Sequence, residues 1–370
     1  MELTLLAVMP GLLIWLAILL LPWRPWSTRE SLDSQSTENL DLSNVTVLIP
    51  ARDEAETISQ TLTALKDQGI GLNIVLVDDQ STDSTVKKAL DVNLNNLQIV
   101  SGTSLPEGWS GKLWALEQGR QLVKTSYLLL LDADIVLVPG LVPTLIEKAQ
   151  KDDIKMLSLM AHLKMESSWE KGLMPAFIFF FKLLYPFHLS NKPSSPIAAA
   201  AGGCILLESN VLEKLGGFEC IKDALIDDCS LAKQVKQDGH KIWMGLTHSA
   251  ISIRPYNSLS TIWQMVTRTA YTQLAYSPII LLVCTMLMIA AFALPIAVLL
   301  QAQVDLILIG LVTLGIQAVC YLPTLRYYSM NPLYSLSLPL VGTLYLLMTW
   351  SSAFHYYFGK GAVWKDRHYN

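Results

Sequence analysis

The chain has 370 residues, with 27 Lys and Arg against 31 Asp and Glu and a net charge of −4, a balance that excludes the broad basic surface of a nucleic-acid binder. Its residues are 52% hydrophobic and only 16% charged, a skew that no ordinary soluble domain shows. The skew is local: Leu3–Trp23, Pro278–Val304, Leu306–Leu325 and Tyr327–Gly359 contain no Asp, Glu, Lys or Arg, and each is long enough to cross a hydrocarbon layer of about 30 Å.

Residues 1–23 are expected to be an uncleaved transmembrane anchor. The apolar stretch exceeds that of a signal peptide, no basic segment precedes it and no small-x-small cleavage site follows. Arg24 and Arg29 follow directly, so the polar region should be cytoplasmic and the N-terminus outside. Residues 24–43, rich in Ser, Thr, Asp and Glu, have the composition of a linker.

A compact domain is expected over 44–256. Val45–Ile49 is a buried strand ending at Pro50, and the spacing of Ile58, Leu62 and Leu65 predicts a helix over Glu54–Leu65. Ile74–Val77 is a second strand running into Asp78 and Asp79, and the Ser81 to Ser84 run supplies capping chemistry for a helix through Leu90. A short strand Leu97–Val100, a helix Lys112–Val123 and a strand Tyr127–Leu131 complete a βαβ order, which implies a mostly parallel sheet with helices on both faces. The fourth strand is apolar after its first residue and stops at Asp132-Ala133-Asp134. Strand alternation would point both carboxylates the same way at the carboxyl edge, where open α/β sheets bind ligands. Hard divalent cations such as Mg²⁺ favour carboxylates together with substrate phosphates, so two acidic strand ends in one sheet read as a metal-nucleotide site.

Further on, a helix near Val142–Gln150 and a strand near Met156–Leu163 precede Trp169–Leu189. That stretch, aromatic, with Lys171 and Lys182 inside it and Lys192 just beyond, suits an interfacial helix lying on the bilayer, with a buried core helix as the alternative. Residues 257–277 read as an amphipathic connection, 278–358 as a bundle of about three transmembrane helices, and 359–370 as a basic tail. Arg326 marks a cytoplasmic turn. Four full crossings would put the tail outside, whereas Lys360, Lys365 and Arg367 favour the inside; a last segment broken at Pro339 and Gly342 would reconcile the two. Cys204, Cys220, Cys229, Cys284 and Cys320 form no CxxC pair, as in reduced, non-metal usage. The six histidines show no metal-ligand spacing.

Pro50-Ala51-Arg52-Asp53-Glu54, Asp78-Asp79-Gln80-Ser81-Thr82-Asp83, Gly111-Lys112, Asp132-Ala133-Asp134 and Asp227-Asp228-Cys229-Ser230-Leu231, in this order and spacing, resemble family 2 glycosyltransferases of the GT-A fold. Gly202-Gly203-Cys204, the Arg268 to Leu274 stretch and the Val363 to Tyr369 tail look closest to the membrane-bound hopene-associated glycosyltransferases. The resemblance implies a nucleotide-diphosphate sugar donor, read as a UDP-sugar, a Mg²⁺ or Mn²⁺ cofactor and a membrane lipid acceptor, for which hopanoid-type, carotenoid, sphingoid and polyprenyl phosphate lipids are open. It also implies an inner membrane, multi-pass location with a cytoplasmic catalytic domain.

By the same resemblance Asp134, with Asp132, holds the metal, and Asp53 and Asp79 contact base and ribose, with Pro50, Glu54, Gly111, Lys112 and Gly203 beside the donor. Asp228, the second member of the Asp227-Asp228 pair, stands where the family carries its base. Arg268 is expected either to reach the diphosphate or to sit at the membrane boundary as a snorkelling cation, and Trp364, Lys365 and Arg367 would close over the donor if the tail is cytoplasmic. Processive members carry Gln-x-x-Arg-Trp; Gln264-Met265-Val266-Thr267-Arg268-Thr269 departs from it in spacing and lacks the Trp. A processive polysaccharide synthase and an inactive membrane scaffold are the alternatives.

Overall fold

The computed structural model describes residues 2–35, 40–359, 362–364 and 367–369. The chain folds as two compact units: Glu30–Lys164 with Leu189–Pro255, and Met1–Arg29 with Met165–His188 and Tyr256–Asn370.

The first unit is an eight-stranded sheet: β1 (Val45–Ala51), β2 (Asn73–Asp78), β3 (Leu97–Ser101), β4 (Tyr127–Leu131), β5 (Ile135–Leu137), β6 (Met156–His162), β7 (Cys204–Glu208) and β8 (Ile242–Ser252). Their order across the sheet is β3-β2-β1-β4-β7-β6-β8-β5. Four neighbouring pairs are parallel and three antiparallel, so β5 and β7 run against the rest of a mostly parallel sheet. The apolar runs become central strands because both faces are covered; all five residues of β4 are buried. One core layer forms around Val47, Ile49, Ile58, Leu62, Leu129 and Leu131, and the other around Leu48, Leu116, Leu128, Leu130, Leu207 and Phe218.

The helix expected from Glu54 begins at Ile58, since residues 54–57 turn beneath the first strand's end. Residues 30–35, linker-like in composition, are pinned to the sheet. Leu32 N donates to Leu246 O at 2.9 Å, Leu246 N to Glu30 O at 2.8 Å and Ser34 N to Ser249 Oγ at 2.9 Å. Asp33 accepts from His248 N and from Thr247 Oγ1. Polar composition hides this segment because it pairs through backbone and short side chains rather than apolar burial.

The second unit is helical. Its N-terminal helix spans Glu2–Leu20. Among the described residues, Pro278–Leu300, Val304–Tyr327 and Pro332–Phe358 are long and apolar enough to cross a membrane. Residues such as Met286, Val304 and Leu340 stay exposed on them, as a lipid-facing surface requires. The last helix is continuous over Leu338–Phe358. Pro339 falls in its first turn, where a missing N–H is harmless, and Gly342 packs against the Phe292 ring, so neither residue breaks the segment.

Pro295 has no N–H to offer the carbonyl four residues back, that of Ala291, and the helix takes a π turn over Ile289–Ala293. That carbonyl accepts instead from Trp15 Nε1 at 3.0 Å and Gln317 Nε2 at 2.7 Å. Gly11 allows the N-terminal helix to approach, for a Cβ there would overlap the Ala290 carbonyl. The aromatic stretch forms a helix over Ser168–Leu184, closed at its start by a capping box between Ser167 and Glu170. It packs within this second unit, with Phe179 stacked on Trp15 at 6.3 Å and Tyr345 Oη donating to Leu173 O at 3.0 Å.

Candidate active site

The loops after β1 and β2 are stitched together at the carboxyl edge of the sheet. Asp53 and Gln80 sit at φ of 50° and 58°, in the left-handed region, and Asp53 N donates to Ser81 Oγ at 3.0 Å. Thr82 N donates to Asp53 Oδ1 at 2.7 Å, Glu54 N to Thr85 Oγ1 at 2.8 Å and Arg52 Nη1 to Asp79 O at 2.7 Å. Asp53, Glu54 and Asp79 are thus assembled beside Pro50, at the end of β1, with Glu54 and Asp79 buried.

Lys112 lies in the first turn of the helix Gly111–Arg120, whose N-cap Ser110 accepts from Leu113 N. Its Nζ stands 2.9 Å from Asp132 Oδ1 and 3.4 Å from Asp227 Oδ2. The placement is built from behind. Glu117 of the same helix accepts from Phe218 N at 2.9 Å, and Ser110 N donates to Lys222 O at 2.9 Å, which fixes the turn leading to Asp227. Gly217, at φ 76°, completes that turn; a Cβ there would stand 2.5 Å from Arg120 Nε and 2.6 Å from Glu117 Oε2.

The helix Asp227–Gln237 carries both acids in its first turn, not at the N-cap, which is Ile226. Asp228 Oδ1 accepts from Cys229 N at 2.7 Å. Burial, and then the neighbouring Asp227 charge, push its carboxyl up to about 7, against the opposing pull of Lys112 and the backbone N–H groups of Cys229 and Gly202. Gly202 keeps space open here: a Cβ would lie 3.2 Å from Lys112 Nζ and 3.3 Å from Asp228 Oδ2. Gly203 contributes its carbonyl to Asp132 N at 3.1 Å. Burial also raises Asp132, with Lys112 opposing it, while the acids around Lys112 outweigh its burial and hold its ammonium charged.

Strand geometry does not extend through the Asp132-Ala133-Asp134 motif. β4 ends at Leu131, the next three residues turn, with Ile135 N donating to Asp132 O at 3.1 Å, and the two carboxylates take separate cations. Asp132 pairs with Lys112, whereas Asp134 Oδ2 accepts from Arg254 Nε at 3.0 Å and Ser252 Oγ at 3.2 Å. Sequence reasoning passed over Arg254. The available signal was a lone cation in Ile251-Ser252-Ile253-Arg254-Pro255, at the end of a strand in a sheet with acidic edges.

Among the described residues no three His, Cys, Asp or Glu side chains converge as a metal cage. Asp132 and Asp134 fit a divalent ion as hard oxygen donors, leaving the rest of the shell to ligand phosphates and water. Arg268, which follows the helix Leu259–Thr267, belongs to the helical unit. So do Trp364 and Arg367, whose backbones face each other across the antiparallel ribbon Ala362–Trp364/Arg367–Tyr369. Lys360 and Lys365 lie outside the described residues.

A mixed sheet of this order with a carboxylate-lined edge is the GT-A glycosyltransferase fold. Accordingly the structure resembles that of the mannosyltransferase PcManGT from Pyrobaculum calidifontis in complex with GDP-Man and Mn²⁺, with a TM-score of 0.58 and 17% identity over 95% of this chain and 98% of that one. Residues 46–216 match the family described as glycosyl transferase family 2. Over 115 residues the chain is 30% identical to the 4,4'-diaponeurosporenoate glycosyltransferase of Staphylococcus aureus strain USA300, and 29% identical to that of bovine strain RF122. The aligned stretch is 31% of this chain and 30% of the relative, so the chain spans under a third of that relative's length.

Proposed function

We propose that the chain is an inverting glycosyltransferase that moves a sugar from a nucleotide-diphosphate sugar, of uridine type, to a membrane lipid acceptor such as a hopanoid-type lipid. The observation that carries this reading is Asp228: a half-buried carboxyl raised to about 7, beside a lysine that also reaches the Asp132 end of β4. A base with a pKa near the working pH is what deprotonation of an attacking hydroxyl calls for. The arrangement offers a base and no separate nucleophile, which favours a single displacement with inversion. Asp227 raises the basicity of Asp228 by its charge.

In glycosyl transfer the sugar becomes cationic, oxocarbenium-like, while negative charge gathers on the departing group. Lys112 stands ready as a fixed cation for a diphosphate. Mg²⁺ or Mn²⁺ held by Asp132 and Asp134 would supply Lewis-acid neutralisation of the same charge. The stitched loops carrying Asp53, Glu54 and Asp79 supply acceptors for base and ribose.

The lipid acceptor and the inner-membrane, multi-pass location with a cytoplasmic site draw support from the three apolar helices, the basic residues Arg24 and Arg29, and the acceptor for which the Staphylococcus aureus relative is named. The domain plan follows: an anchor at 1–23, a catalytic unit within 44–256, three crossings over 278–358 and a basic tail. The test incubates membranes bearing the full chain with a lipid extract and labelled nucleotide sugars, with and without Mn²⁺ or Mg²⁺. Label should enter the organic phase only with metal and with active Asp228. Transfer to a water-soluble acceptor, indifferent to added lipid, sinks the lipid reading.

A further inference from the structure

Arg254 joins two acids that lie far from it in the chain. Its Nε donates to Asp134 Oδ2 at 3.0 Å and its Nη2 to Glu54 Oε1 at 2.6 Å, across sequence separations of 120 and 200 residues. Both carboxylates are nearly buried, Asp134 at 7% and Glu54 at 8% exposure. The strand leading to Arg254 is itself locked to the acid's own segment: β5 pairs with β8 through Ile135 and Ser252, and Ile253 N donates to Asp134 O at 2.9 Å. Ser252 Oγ adds a second donor to the same Asp134 Oδ2 at 3.2 Å. Two donors on one oxygen fix the plane of a carboxylate. Among the described residues, Asp134 Oδ1 receives no hydrogen bond.

We propose that Arg254, assisted by Ser252, is a positioning residue for divalent-metal binding. It orients Asp134 so that Oδ1 is presented as the metal-ligating oxygen, and through Glu54 it ties that oxygen to the donor loop after β1. The inference rests on the nucleotide-sugar reading above. Outer hydrogen-bond partners of metal ligands act in this way, and losing one costs roughly 10–100-fold in metal affinity. The fork matters more than the charge: a planar guanidinium serves two carboxylates at fixed angles, whereas an ammonium is a single flexible point.

The test therefore uses variants that conserve charge, Arg254→Lys and Ser252→Ala, so that any change in metal affinity reports orientation and not relieved repulsion. Mn²⁺ binding to the full chain in detergent is titrated by electron paramagnetic resonance, alone and with UDP or GDP. Nucleotide binding in EDTA and the thermal midpoint are measured alongside. Arg254→Lys should weaken Mn²⁺ binding about 10-fold or more, and Ser252→Ala severalfold, with metal-free nucleotide binding by Ser252→Ala and both thermal midpoints close to wild type. Wild-type Mn²⁺ affinity in Arg254→Lys overturns the proposal. So does an equal loss of Mn²⁺ and metal-free nucleotide affinity in both variants, which would mean general loosening. A wild-type protein that binds Mn²⁺ but gains nothing from either nucleotide overturns the donor reading while the variants still decide Arg254, and one that binds no Mn²⁺ overturns both.

Discussion

Two of the acid pairs in the sheet unit, Asp132 with Asp134 and Asp227 with Asp228, are supplied with cations differently. Asp132 and Asp134, separated by a turn, each have their own, Lys112 and Arg254. Asp227 and Asp228 are adjacent on one helix start and, among the described residues, share the Lys112 that Asp132 also uses. The helix dipole favours both charges, yet burial and crowding win at Asp228, whose carboxyl rises to about 7. In one pair each acid is held by a cation of its own. The other is arranged so that one member can take up a proton near neutrality.

The most severe break in that contrast is Asp228→Asn, which removes the proposed base and leaves Asp132 and Asp134 in place. The turnover rate of the proposed sugar transfer should fall about 10³-fold, within the usual range for a lost general base, while nucleoside diphosphate affinity measured by calorimetry changes little. Lys112→Met takes the shared cation from both pairs at once. Transfer should drop about 100-fold, and the acid limb of the pH–rate profile should move upward, because Lys112 is what holds the Asp228 carboxyl down.

The pH profile sharpens the comparison further. A raised carboxyl is protonated, and idle as a base, below its pKa. Wild-type turnover should therefore fall about tenfold per unit on the acid side of about 7 and level off above it. Asp227→Asn removes the like charge and should shift that limb down by about one unit; an unmoved limb would assign it to another group. The smallest effect is expected at the scaffold. Gly217→Ala forces a side chain into a left-handed φ against Arg120 and Glu117, and should cost about 1–3 kcal/mol, seen as a lower thermal midpoint.

How much of this could be read in the sequence depended on whether partners are local. β1, β2 and β4 were legible because a strand buried on both faces is a continuous apolar run, and the acids that end β2 and follow β4 announce themselves by contrast, whereas the short, half-exposed β3 was legible only from its place in the βαβ order. The Asp227–Asp228 pair was legible too, but through resemblance, since two acids at a helix start read equally as dipole partners. What escaped was set by contacts across the sheet. β5 has three residues and no pattern of its own, and the role of Arg254 depends on Glu54 at a separation of 200 residues. The turn at Asp132-Ala133-Asp134 escaped because alternation assumes the strand continues. In the helical unit the uncharged runs marked the helices, whereas the substitute hydrogen bonds at Ala291 could not be foreseen from composition.

Those bonds have a consequence for how the protein is made. The carbonyl that Pro295 deprives of its usual donor is served by an indole 276 residues earlier in the chain. The helix Glu2–Leu20 therefore leaves the ribosome carrying an indole N–H whose partner is made 276 residues later. Until then Trp15 must be solvated elsewhere, and the bend at Ala291, when it enters the bilayer, waits for an old segment to return to it. Closure of this part of the helical unit thus waits until both segments, 276 residues apart, have been made.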